Sequence, residues 1–261
     1  NMDSVADLIE EEYKGKMLFL ADGNATSAPK DYLDLAPLVA EMSKVNVTPD
    51  QTLTLATSCF LIFTSGTTGL PKASITSNLR LFRGGTQFGV NVMTLSPKDV
   101  YYCPLPLYHS TALIVGFASS LIAGSTFAIR RKFSATQFFD DCRKFNATAF
   151  VYIGELLRYL LALPASAGDQ DHNVEKIIGN GLRPDIWMDF KNRFNIPRIH
   201  EFYGASEGNT AFVNIFNFDK TVGWSPGAGK AWTIVDFDVD ADEPIRNEDG
   251  FMTRTKLGNT G

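Results

Sequence analysis

Short apolar runs alternate along the chain with stretches of helical periodicity. CFLIFT (59–64), VYYCPL (100–105), STFAIR (125–130), TAFVYI (148–153), KIIGN (176–180) and RIHEFYG (198–204) have strand length. Between them TQFFDDCRKF (136–145), ELLRYLLALP (155–164) and PDIWMDFKNRF (184–194) read as helices, the last with Pro184 in its first turn. This alternation predicts an α/β fold of layered, largely parallel sheets with flanking helices.

The ends read differently. DSVADLIEEEY predicts a leading helix that Gly15 stops before a strand in KMLFLA, and Pro29, Pro37 and Pro49 mark residues 27–49 as a connector. After Phe216 glycine, proline and acidic residues dominate (VGWSPGAGK, VDADEPIRNEDG), which predicts a β-rich periphery with turns. The expected organisation is residues 1–50 as leading helix, strand and connector, 51–216 as the α/β core and 217–261 as the periphery.

One stretch needs a membrane test. STALIVGFASSLIAGSTFAI (110–129) carries no charge and precedes Arg130, Arg131 and Lys132, as a spanning helix would. Its six Ser and Thr residues, and the break at Gly124-Ser125 before FAI, predict a buried helix followed by a strand instead.

Composition narrows the function classes. At 44% hydrophobic and 20% charged over 261 residues the chain has material for a sizeable core, which excludes disorder for most of it. The net charge of −5 gives no bulk attraction to DNA or RNA, so a nucleic-acid partner is disfavoured. Cys59, Cys103 and Cys142 are scattered, as are His109, His172 and His200. Neither a disulfide framework nor a cysteine or histidine metal cage is indicated, and an intracellular, reducing compartment fits best.

The strongest chemical signal is LIFTSGTTGLPKAS (61–74), an apolar run that enters a loop of hydroxyls and glycines ending in a lysine. Gly66 and Gly69 let backbone approach an anion, Thr64, Ser65, Thr67 and Thr68 add hydroxyl donors, and Lys72 adds charge. It is not a Walker A loop, because Pro71 stands where that motif has its second glycine.

TSGTTGLPK resembles the phosphate-binding loop of adenylate-forming enzymes, the superfamily of acyl-CoA synthetases, luciferases and peptide-synthetase adenylation domains. VYIGELLRYLL (151–161), GNGLRPDIW (179–187) and EFYGASEGN (201–209) are similar to signatures of its fatty acid transport protein branch, the very-long-chain acyl-CoA synthetases. The resemblance implies that the chain is part of the large N-terminal domain of such an enzyme. It implies ATP, Mg2+ and CoA as cofactors and co-substrates, with a fatty acid as the group activated. Thr64, Ser65, Gly66, Thr67, Thr68, Gly69 and Lys72 would hold the β- and γ-phosphates. Gly179, Asn180, Gly181 and Leu182 would line adenine and the acyl site. Tyr203 would stack on adenine beside Gly204, Ser206 would contact the α-phosphate, and Glu207 would coordinate Mg2+. His109, in PLYHS, resembles the aromatic-histidine segment beside the acyl carboxylate, with a packing role of equal weight.

Residues outside those motifs have plainer readings. Glu155 and Arg158 could pair on a helix near the acyl channel, whereas Leu156, Leu157, Leu160 and Leu161 have core spacing. Arg183, Asp185 and Trp187 read as a capping and packing cluster.

Members of the family are roughly twice this length. The resemblance implies a ribose-binding aspartate, a hinge and a small C-terminal domain with the adenylation lysine, all absent from this sequence, so the chain alone is expected not to form acyl-AMP and to self-associate through uncovered apolar surface. The parent is expected at intracellular membranes of the endoplasmic reticulum, peroxisome or lipid droplet, or at the plasma membrane. Two other readings stand beside this one: a fatty-acid binding and uptake protein with little catalysis, and a domain that only folds.

Overall fold

The computed structural model describes residues 17–20, 32–45, 52–64, 72–206, 208, 210–225 and 232–256. The predicted leading helix lies outside them. The chain divides into two compact units, residues 1–53 and 54–261. In the first, strand β1 (Met17–Phe19) pairs in parallel with β2 (Tyr32–Asp34), and helix α1 (Leu35–Ala40) follows directly. Both β2 and α1 fall where the prolines predicted a connector. Pro37 is tolerated because it occupies the first turn, where the missing N–H has no helical partner, and Asp34 caps that turn by accepting from the Ala36 N–H at 3.0 Å.

The second unit opens with an antiparallel hairpin of β3 (Ser58–Thr64) and β4 (Lys72–Ser77). The sequence placed CFLIFT among the parallel strands. Its partner KASITS is too polar to read as a strand, so the hairpin was invisible, and β3 lies outside the main sheet. Helix α2 (Asn78–Gly85), capped by the Ser77 hydroxyl, continues as a π-helical stretch (Thr86–Val92).

The main sheet has six strands: β5 (Val100–Cys103), β6 (Thr126–Ile129), β7 (Ala149–Ile153), β8 (Lys176–Asn180), β9 (Arg198–Tyr203) and β10 (Phe212–Val213). Their spatial order is β10-β9-β8-β7-β5-β6, parallel throughout except for β10. The expected parallel core is present. Alternate residues of each strand enter opposite layers, as a period of two requires. Tyr102, Phe150 and Ile177 pack on one face, and Tyr101, Val151 and Ile178 on the other.

The first face is covered by α4 (Phe138–Phe145), α5 (Gly154–Ala162) and α6 (Pro184–Arg193), which contribute Phe138, Leu157 and Trp187. The second is covered by the π-helical stretch after α2 and by a second one (Thr111–Ala118) that runs into α3 (Ser119–Ala123). The uncharged stretch 110–129 is therefore a buried helix and a strand, divided at Gly124 with φ +69°. No described helix is long and apolar enough to cross a membrane. Gly89 lets the first π-helical stretch touch the start of α3, since a Cβ there would lie 2.7 Å from the Ser119 carbonyl oxygen. Beyond the sheet, β11 (Phe237–Asp238) and β12 (Glu243–Pro244) form a small antiparallel pair in the stretch expected to be β-rich.

The amino ends of the strands are tied by a buried ion pair. Lys176 and Asp99 lie 3.0 Å apart, and the same carboxylate accepts from the Thr148 hydroxyl at 2.8 Å and the Ser96 N–H at 2.8 Å. Burial pushes the Asp99 carboxyl up, but the bonds from Lys176, Thr148 and Ser96 outweigh it and hold it below its usual 3.8. Lys176→Met should cost about 3–5 kcal/mol in urea unfolding at pH 7, because it strands a buried carboxylate. In the variant burial raises the Asp99 carboxyl while the parent holds it below 3.8, so that difference should start to shrink as pH falls towards 3.8 and go on shrinking below it.

Candidate functional site

From β5 the chain moves one way to β6, and from β6 it returns past β5 to β7, β8 and β9. Crossover helices lie on one face for the first move and on the other for the rest, as a single handedness demands. This reversal leaves a crevice at the carboxyl ends of the strands, the place where doubly wound sheets take ligands. A cavity of about 490 Å³ lies at this carboxyl edge of the sheet, between β4, α2 and the segments that leave β5, β8 and β9. Leu79, Phe88, Ile114 and Phe202 give it an apolar wall, while Arg80, Ser110, Asn180 and Ser206 supply polar groups.

Arg80 clamps the loop after β9. Its guanidinium donates to the carbonyl oxygens of Ser206 (2.5 Å) and Gly208 (2.6 Å), on either side of residue 207. The Ser74 hydroxyl also donates to the Ser206 carbonyl at 3.1 Å, and the hydroxyls of Ser110 and Ser206 share a hydrogen bond of 2.8 Å. Thus the hairpin, α2 and the segment after β5 all converge on the FYGASEG loop.

The turn after β8 is held differently. Glu201, buried in β9, accepts from the Gly181 N–H, from the Leu182 N–H at 3.1 Å and from the Tyr152 hydroxyl at 2.5 Å. Burial raises its carboxyl to about 7, against the opposing effect of those three donors. Gly181 has φ +87°, and its carbonyl oxygen would lie 1.7 Å from any Cβ on Gly154, so the turn rests on bare backbone. The Asn180 side-chain oxygen is buried at the cavity with no partner among the described residues.

The structure brings several expected residues to this crevice. Asn180, Gly204 and Ser206 line the cavity, Gly179, Gly181 and Leu182 form the end of β8 and its turn, and Tyr203 ends β9 with its ring 67% exposed. Thr64 and Lys72 stand opposite one another as the last pair of the hairpin before its connecting loop. Ser65, Gly66, Thr67, Thr68, Gly69 and Glu207 lie outside the described residues. His109 is exposed, 4.4 Å ring to ring from Tyr108, and the cavity is lined by its neighbours Ser110 and Thr111. Glu155 and Arg158 pair with each other on an exposed helix face, while Leu156, Leu157 and Leu160 are core. Arg183 and Asp185 pair at 3.0 Å where α6 begins, and the Trp187 indole N–H donates to Asp219 at 3.0 Å.

Sequence reasoning missed Arg80 and Glu201. The glutamate left a signal, a lone acid inside the apolar run RIHEFYG. Arg80 left none, since an arginine on a polar helix is unremarkable in sequence.

The model of the AMP-binding enzyme family matches residues 8–250. Over 204 residues the chain is 47% identical to the medium/long-chain-fatty-acid–CoA ligase FadD6 of Mycobacterium tuberculosis, covering 78% of this chain and 34% of that protein. Over 212 residues it is 43% identical to long-chain fatty acid transport protein 2 of Rattus norvegicus, covering 80% and 34%. The chain thus spans about a third of the length of these relatives. Among solved structures, ATP-bound MatB from Rhodopseudomonas palustris matches with TM-score 0.63 at 22% identity, covering 82% of this chain and 42% of that one. A benzoate CoA ligase from Burkholderia xenovorans LB400 matches with TM-score 0.65 at 16% identity, covering 89% and 43%. The structural likenesses establish the fold, and the match over residues 8–250 places this chain in the AMP-binding enzyme family.

Proposed function

We propose that the whole protein activates long- or very-long-chain fatty acids with ATP and transfers them to CoA. One observation carries the reading: a crevice of about 490 Å³ joins an apolar wall to Asn180, at the end of β8, and to Gly204, Ser206 and Gly208, after β9. Its size suits a small-molecule site. The similarity to a fatty acid–CoA ligase and to a long-chain fatty acid transport protein supports the acyl class.

In this scheme the fatty carboxylate attacks the α-phosphorus of ATP, the bond to pyrophosphate breaks, and acyl-AMP forms. The CoA sulfur then attacks the acyl carbonyl, AMP leaves, and the thiol proton is released. Two anions must meet in the first step, so the barrier is largely electrostatic. Lys72, Thr64 and residues 65–69 are assigned to the β- and γ-phosphates and Ser206 to the α-phosphate. Tyr203, exposed at the end of β9, is assigned to stacking on adenine above the turn 180–182. His109 is assigned a place beside the acyl carboxylate, next to the cavity-lining Ser110. The donor set of Glu207, phosphate and hydroxyl oxygens is hard-oxygen chemistry that suits Mg2+. Bound there, the ion would neutralise phosphate charge. Arg80 keeps the backbone on both sides of Glu207 in place.

The second reading is fatty-acid binding and uptake with little catalysis, and the name of the rat relative favours it. The proposed location is the surface of an intracellular membrane, of the endoplasmic reticulum, peroxisome or lipid droplet, or of the plasma membrane. Its support is the lipid substrate class and the fatty acid transport proteins among the relatives. Self-association of the 261-residue chain is also proposed. The hairpin exposes Leu61, Phe63 and Ile75 on one face, and Phe216, Phe218 and Trp224 are exposed elsewhere.

AMP formation by the whole protein across a fatty-acid chain-length series separates the two leading readings. We expect turnover that depends on fatty acid and is greatest for long chains, whereas saturable fatty-acid binding without AMP release would favour uptake. Lys72→Ala and Glu207→Gln should each lower turnover by about 100-fold or more with unchanged melting temperature, since both act on phosphate and metal charge. Near-parent turnover at saturating ATP and Mg2+ would remove the assigned role. Light scattering of the 261-residue chain at micromolar concentration should show species larger than a monomer, and a monodisperse monomer would contradict self-association.

A further inference from the structure

We propose that Glu201 is a positioning residue of the nucleotide site, whose buried carboxylate sets the turn 180–182 at a fixed separation from Tyr203. The inference rests on the reading above, in which these two elements are the walls around adenine.

Three observations support it. First, Glu201 is 6% exposed within an apolar strand, where a carboxylate persists only if donors are arranged around it. Two of its three donors, the N–H groups of Gly181 and Leu182, belong to the turn, and the third is the Tyr152 hydroxyl on β7. One side chain therefore joins the carboxyl ends of three adjacent strands.

Second, Leu182 anchors the far end of the turn in the core and Asn180 is paired with Ile153 on β7, so the backbone amides of Gly181 and Leu182 between them are what the carboxylate holds. Gly181 adopts φ +87° and its carbonyl sits where a Cβ of Gly154 would be, so it faces backbone rather than a packed side chain. The carboxylate on one side and bare Gly154 on the other thus bound the Gly181 backbone, while Leu182 packs in the core. Asn180, which opens the turn, lines the cavity, and its buried side-chain oxygen has no partner among the described residues.

Third, Glu201 and Tyr203 are two residues apart on β9 and so share a face of the strand. The Glu201 carbonyl accepts from the Asn214 N–H at 2.8 Å, which fixes the strand itself against the segment that follows β10. The link from Tyr203 to the turn thus runs through one short, hydrogen-bonded side chain.

The test is equilibrium binding of AMP, with palmitate measured in parallel, on the whole protein and three variants. Glu201→Gln keeps an acceptor for both N–H groups, and its amide can donate to the Tyr152 hydroxyl, which has the His200 carbonyl at 3.3 Å as its own acceptor. It should bind AMP within about twofold of the parent. Glu201→Leu removes the acceptor, and Glu201→Asp withdraws it by one methylene. Both should weaken AMP about tenfold or more while palmitate stays within about twofold. Should Glu201→Leu fail to fold, Glu201→Asp decides the matter. Parent-like AMP binding by Glu201→Asp, or equal weakening of AMP and palmitate, overturns the assignment and leaves the proposed activity standing. Absence of AMP binding by the unsubstituted protein overturns the proposed activity and this inference with it.

Discussion

The reversal of winding between β5 and β7 is the constraint on which the rest of the molecule depends. Parallel strands buried on both faces leave the sheet only at their ends, and each crossover helix covers the layer it crosses. Where the direction of travel changes, the helices on either side diverge to opposite faces, and nothing covers the carboxyl ends of the strands between them. The cavity, the loop after β9 and the turn after β8 lie at this same carboxyl edge of the sheet, next to the segment that leaves β5.

Apolar burial builds the walls of this crevice but cannot set the shape of its loops. That is done by polar groups whose alternatives are costly. A hydrogen bond contributes about 1 kcal/mol net, whereas an unpaired buried amide or carbonyl costs about 1–3 kcal/mol. The N–H of buried Leu182 is therefore fixed more by the penalty of moving than by the gain of staying. Arg80 and Glu201 use the same logic with opposite charge, the arginine gathering carbonyls of one loop and the glutamate gathering amides of the other turn.

Much of this architecture was legible in the sequence, and what was hidden has a physical reason. The strands β5, β7, β8 and β9 announced themselves as apolar runs because both their faces are buried. The helix and strand within 110–129 were readable because glycine at a left-handed position breaks an otherwise continuous run. The hairpin was not, since KASITS pairs one buried position, Thr76, with mostly exposed ones and has no apolar period. Nor were the two π-helical stretches, whose apolar spacing differs little from that of an α-helix. At the site, Asn180, Tyr203, Gly204 and Ser206 were named through motif resemblance. Arg80 and Ser74 were missed because their partners are backbone carbonyls more than a hundred residues away, a relation that no local pattern encodes.

The central claim is that the crevice at the carboxyl ends of β8 and β9 receives an adenine nucleotide. Photoaffinity labelling of the whole protein with an azido-adenine analogue of ATP, followed by mapping of the modified peptides, addresses it directly. The account predicts covalent label on peptides that contain residues 179–182 or Tyr203, suppressed by excess AMP. Label confined to other parts of the chain, or label at these positions that excess AMP leaves unchanged, would contradict it.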